Sequence, residues 1–195
     1  MSFSKFLIIT FLFITIFHLV SCQEKAKEVP MTDLNFEIGE SGKSIPYLNG
    51  KVFTGHAISY HPNGNKYISQ QYLDGIKNGQ WIIFYESGDT QKLGYIYEGI
   101  DDSIYKEWYD NGQLRYFYYY DDGKKTGQWK TWYENGVQWT SRDFENDKLN
   151  GKVLVYDTDG TLTKEYTYKN GEMIGREFYE PAQSPEERKK SLNIK

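Results

Sequence analysis

Hydrophobic and polar positions divide the chain into three regimes. Phe6 to Val20 is an apolar run of 15 residues broken only by Thr10, Thr15 and His18. The segment QEKAKEVP, Gln23 to Pro30, is charged and has no apolar period. From Tyr47 onward, runs rich in Tyr, Trp, Phe, Ile, Val and Thr alternate with short polar pairs that contain Gly. These runs are roughly 6–9 residues long, the length and composition of β-strands. The Asn-Gly, Asp-Gly and Ser-Gly pairs between them predict hairpin turns, with positive φ at the turn residues. The expected fold class is all-β.

The runs repeat. GQWIIFYESG at Gly79 returns 48 positions later as GQWKTWYENG at Gly127, and half that step lands on SIYKEWYDNG at Ser103. GHAISYHPNG at Gly55, GKVLVYDTDG at Gly151 and GREFYE at Gly175 extend the 24-residue period without an insertion. Each unit opens with Gly, Ser103 excepted. An aromatic stands five residues on (Tyr60, Phe84, Trp108, Trp132, Tyr156) and a Gly nine on (Gly64, Gly88, Gly112, Gly136, Gly160). A second turn pair closes the unit at Gly75, Gly99, Gly123 and Gly171, where Asp147 is the one substitute. A fixed period of this length marks a solenoid or array. Helical repeats are disfavoured, because each interior Gly would cost about 1 kcal/mol. The architecture expected is an antiparallel meander of stacked β-hairpins. Alternation puts Trp129, Thr131 and Tyr133 on one face and Lys130 and Trp132 on the other, so both faces carry aromatics. Trp132 is expected to be a core ring.

The pattern G-x-W-x-x-W-Y-x-N-G, followed by Y-x-x-G-x-x-x-G, resembles the MORN-repeat variant family. GQWKTWYENG, YEGIDDS, YLDGIKNG and YYDDGKKTG carry the likeness over about residues 47–179. The resemblance implies a scaffold or membrane-associated binding module of β-hairpins. Members often carry an antitoxin label, so it also implies a toxin-neutralising role that the residues themselves do not show. Ser103 and Asp147 in place of Gly, and weak first and last units, depart from the pattern and suggest capping ends.

The N-terminus supplies an address. Fifteen apolar residues are short of the roughly 20 that span a bilayer, and with Lys5 ahead of them they fit a signal peptide. Leu19-Val20-Ser21-Cys22 resembles the bacterial lipoprotein box. That resemblance implies cleavage before Cys22, its lipidation, and a protein tethered to a membrane of the bacterial cell envelope, inner or outer left open. The organisation expected is therefore signal peptide 1–21, tether and N-terminal cap 22–46, repeats 47–180 and a charged tail 181–195. In the tail, Ser184-Pro185-Glu186-Glu187 reads as the start of a short helix, or the segment is loose. Tyr47 to Gly55 resembles the back half of an earlier unit with one residue inserted.

Charge and rare residues narrow the function. The full chain carries −4, and loss of the one lysine before Cys22 leaves −5, which offers no electrostatic footprint for nucleic acid. Cys22 is the only cysteine, so intrachain disulfides and Cys-based zinc sites are excluded. His56 and His61 lie five apart on one strand, on opposite faces, and read as surface residues, not a metal pair. Asp101-Asp102 and Asp121-Asp122 fall at turns, where acids serve backbone geometry. No nucleophile or cofactor motif is present, and neither a cofactor nor a metal is expected. Aromatics demanded by the repeat read as packing. Tyr116, Phe117, Tyr118 and Trp139 stand outside the pattern and are the candidate binding surface. The function expected is a non-enzymatic, lipid-anchored module that binds a protein partner, toxin-neutralising by the family's implication. The alternative is binding of a cell-envelope glycan or small ligand.

Overall fold

A computed structural model describes residues 28–179. Cys22, the signal peptide and the charged tail after residue 180 lie outside the described residues. The chain runs through β1 (Glu28–Pro30), a single 3-10 turn (Met31–Asp33), β2 (Asn35–Ile38), β3 (Ser44–Leu48), β4 (Lys51–Val52), β5 (Gly55–Tyr60) and β6 (Lys66–Leu73). It continues through β7 (Ile76–Phe84), β8 (Thr90–Tyr97), β9 (Ile100–Trp108), β10 (Leu114–Asp121), β11 (Lys124–Trp132) and β12 (Gln138–Glu145). The last strands are β13 (Lys148–Tyr156), β14 (Leu162–Lys169) and β15 (Glu172–Phe178). β5 to β15 follow one another antiparallel in a 12-stranded sheet, and β1 adds to β5 in parallel at one edge. This is the expected meander, drawn out into one sheet.

The two turns of each unit differ in kind. Between units, both turn residues take positive φ: Asp74-Gly75, Glu98-Gly99, Asp122-Gly123, Asn146-Asp147 and Asn170-Gly171. That is the two-residue hairpin suited to strand twist. Each such turn bonds back to the front strand of its unit, as Gly99 N–H does to Lys77 O at 2.9 Å and Gly123 N–H to Asp101 O at 2.9 Å. Within units the expectation of positive φ holds for Gly only. Gly112 has φ 81°, while Asn111 stays out of the left-handed region. There the Gly N–H closes a four-residue turn, Gly112 to Tyr109 O at 3.0 Å.

The asparagines of these turns have a different task. Asn111 Oδ1 accepts from Gln113 N–H at 2.9 Å, and its Nδ2 donates to Glu134 O, 23 residues on, at 3.0 Å. Asn63 and Asn135 repeat both bonds. Beside them runs a tyrosine ladder: Tyr85, Tyr109 and Tyr133 hydroxyls donate to the carbonyls of Trp108, Trp132 and Tyr156 at 2.7, 2.9 and 3.0 Å. His61 fills the same repeat position, and its Nε2 reaches Phe84 O at 2.9 Å. A carbonyl only accepts, so Nε2 carries the proton.

Two register shifts per unit break the ladder at fixed positions, between Ile83 and Phe84 and between Gly94 and Tyr95 in the second unit. The second shift accommodates the Gly that opens each unit. Its backbone takes positive φ in every unit from Gly55 to Gly151, and Ser103 holds 61° in the one exception. Bulges tighten twist, and a tightly twisted sheet lets large side chains on both faces cover one another.

The conventional core sits at the N-terminal end, where Val29, Leu34, Phe53, Ala57 and Tyr72 cluster with Met31 and Leu48. Two expectations change here. Glu28 to Pro30, assigned to the tether, is the edge strand on β5, with Val29 buried and Lys66 paired to Glu28 at 2.6 Å. Tyr47 to Val52 belongs to a separate three-stranded sheet, β2-β3-β4. Phe53 and Thr54 keep the repeat phase, the first accepting at its carbonyl from Gly75 N–H at 2.9 Å and the second at its hydroxyl from Asp74 N–H at 2.8 Å.

Candidate functional site

Alternation places aromatics of β7, β9, β10, β11 and β12 on a common face, where β8 presents Gly94, and they meet in a row. Trp81 tilts on Tyr105 at 5.9 Å, Tyr105 stacks on Tyr118 at 5.7 Å, Tyr118 stacks on Trp129 at 4.1 Å and Trp129 tilts on Phe144 at 5.0 Å. Tyr116 joins at 5.4 Å from Tyr118 and Tyr120 at 5.1 Å from Trp129. Trp129 Nε1–H donates to Tyr119 O at 2.8 Å and the residue is 7% exposed, whereas Trp132 is only half-buried. The core ring is therefore Trp129, not Trp132.

Beside the row lies Glu107, a buried carboxylate at 7% exposure. It accepts from Tyr105 Oη at 2.6 Å and pairs with Arg115 at 3.2 Å and Lys92 at 3.5 Å. Burial, then the Glu107 contact, pushes the Tyr105 phenol far above its ordinary range. Burial, then neighbouring Tyr116, pushes Tyr118 up to about 12. Phenols held this firmly protonated pack and donate hydrogen bonds; they do not act as bases near neutrality. Among the described residues no group of three or more His, Cys, Asp or Glu is placed to hold a metal.

The four candidate residues do not make one surface. Tyr118 is half-buried in the middle of the row, and Tyr116 lies against it. Phe117 points to the other face, edge-on to Tyr119 at 4.8 Å with Lys106 Nζ 5.2 Å above its ring. Trp139 is two strands over from Tyr118 and about three residues further along, a separation of roughly 14 Å. It is also on-pattern. It sits at the bulge also filled by Tyr67 and Arg115, each laid on its own ladder ring: Tyr67 on His61 at 4.7 Å, Arg115 on Tyr109 at 5.3 Å, Trp139 on Tyr133 at 5.6 Å. The bulge position was invisible as a repeat because its residue type changes from unit to unit.

What reading by units missed is the last strand. β15 ends the sheet with its outer edge unpaired among the described residues. It leaves Met173 51%, Ile174 63% and Phe178 62% exposed. The other edge is covered by three-residue β1, which ends in Pro30. A signal was available: GREFYE at Gly175 opens a unit in phase with the others, whereas residues 180–195 hold two prolines and no aromatic, unlike the back halves of the units before it.

The model of the MORN repeat variant family matches this chain at residues 53–74, 102–116, 125–137 and 149–170. Each match falls on the hairpins described above. No curated protein matches the chain.

Proposed function

The protein is built of MORN variant repeats, and from that premise we propose that it is a non-enzymatic binding module, tethered to a cell-envelope membrane through Cys22, whose partner is a protein. One observation carries the reading: β15 is a front strand with no back strand beside it among the described residues. In the units before it, each front strand from β7 to β13 is paired on that side by a strand of eight residues. β15 offers the same edge with no strand on it among the described residues, and its exposed Met173, Ile174 and Phe178 extend the apolar surface. An unpaired edge with exposed apolar side chains is a template for strand addition. The occupant that fits is an extended segment of the partner, antiparallel to β15, with apolar side chains at alternate positions. Under the family's implication that partner is a protein toxin.

A photo-crosslinking residue in place of Ile174 is expected to trap one envelope protein, and the same residue in place of Ile82, in mid-sheet, is expected to trap none. The purified partner should then bind the Ile174→Lys/Phe178→Lys protein at least tenfold more weakly, about 1.4 kcal/mol, with circular dichroism unchanged. Normal binding by that double variant would remove the edge from consideration.

A further inference from the structure

Between β7, β8, β9 and β10 the row of rings opens into a cavity of about 110 Å³. It is lined by Trp81, Gly94, Tyr95, Ile104, Tyr105 and Tyr120 and by the carboxyl-bearing Asp101 and Asp102. The repeat explains why it is there. One unit on, Trp129 stands where Tyr105 stands, Phe144 where Tyr120 stands, Tyr118 where Gly94 stands and Lys125 where Asp101 stands. In that unit the space is filled from within: Tyr118 lies on Trp129 at 4.1 Å, and Lys125 Nζ sits 5.0 Å above the Trp129 ring and 5.5 Å from the Phe144 ring. The protein itself thus shows an ammonium held over this pair of rings.

In the unit with the cavity the ring at the glycine position is replaced by the Trp81 indole, and the cation is missing. Gly94 has no ring to lay on Tyr105, and Trp81 leans over it so closely that a Cβ at Gly94 would lie 2.7 Å from the indole. At the lysine position stands Asp101. Its carboxylate has no ion pair among the described residues, and that of Asp102 accepts only from the Ser103 hydroxyl at 2.9 Å and Asp122 N–H at 3.5 Å. The rings remain, the internal cation is gone, and a negative charge stands in its place. A cation is attracted to the faces of aromatic rings and to unpaired carboxylates alike.

We propose that this cavity binds an organic cation, an alkylammonium head group seated against Tyr105 and Tyr120 where the next unit seats Lys125, with Asp101 as its counter-charge. The volume suits a head group and not a whole sugar ring. The head group can belong to a free small amine or to a lysine side chain; the chemistry recognised is the same. This site is independent of the β15 edge.

Calorimetric titration of the intact protein with tetramethylammonium chloride tests it, at constant ionic strength and with neutral tert-butanol as control. Saturable binding of the ammonium and none of the alcohol is expected. Asp101→Lys, which supplies the internal cation as Lys125 does, should weaken binding at least tenfold; Asp101→Asn should weaken it by less and serves as the second variant if the lysine disturbs folding. Ile174→Lys should leave it unchanged, so failure here and failure of the edge are told apart. A second titration with Nα-acetyl-lysine N-methylamide assigns the source: tighter binding than tetramethylammonium marks a protein side chain, weaker binding a free amine. No saturable binding by about 50 mM of either cation, or unaltered affinity in both Asp101 variants, would overturn the proposal.

Discussion

Ser103 carries a cost that its repeat-mates avoid. Its φ of 61° lies in the left-handed region, where the other units use Gly. A side chain there costs roughly 1–2 kcal/mol, partly offset because Gly is freer in the unfolded chain. Ser103→Gly should therefore stabilise by about 0.5–1 kcal/mol, read as a higher urea midpoint at unchanged slope; a lower midpoint would mean that the hydrogen bond to Asp102 outweighs the strain. Tyr118 sets a limit at high pH. Its folded pKa is pushed up to about 12 by burial and then Tyr116, against 10.0 ordinarily. Below about pH 10 both folded and unfolded chains keep this proton, so stability does not vary on its account. Between those values the unfolded chain ionises first, and stability falls as pH rises. Urea midpoints measured across that window should fall less steeply for Tyr118→Phe than for the natural sequence; identical slopes would place Tyr118 outside the effect.

At the scale of the element, the hairpin unit is defined by what it gives its neighbour. The ladder of Tyr85, Tyr109 and Tyr133, the asparagine bonds and the backbone bond from each inter-unit turn all recur at the 24-residue period. Removal of residues 103–126 therefore leaves every remaining unit facing an equivalent neighbour, and a folded, shorter β-protein is expected. Removal of twelve residues places a front strand against a front strand and breaks both turn phases. Circular dichroism and thermal melting of the two deletions check this, and equal melting of both would defeat the unit as drawn here.

At the scale of the molecule, the two ends of the sheet are unequal. The first is closed by β1 and the cluster around Phe53, and the last leaves β15 open among the described residues. A tether at Cys22 would then hold the closed end toward the membrane and present β15 away from it. Cys22→Ser should abolish lipid labelling and move the protein out of the membrane fraction. Membrane retention without lipid on the natural protein would remove the anchor and with it this orientation.

The sequence alone determined the strands, the period and the antiparallel order, because turn pairs and β-formers recur at fixed spacing and each acts locally. It also showed that Gly opens the unit, but not why: a bulge is a relation between two strands, and only pairing revealed it. The same holds for Trp129, whose burial depends on Tyr118 and Phe144 arriving from adjacent strands. Trp139 looked irregular because its position is conserved in geometry and not in residue type. The binding surface chosen from the sequence came apart for that reason, since neighbours in a list of off-pattern residues need not be neighbours across a sheet. The open edge and the cavity at Asp101 are properties of what is missing beside a strand or a ring. An absence of that kind acquires a place only when the tertiary structure puts the filled units next to the unfilled one.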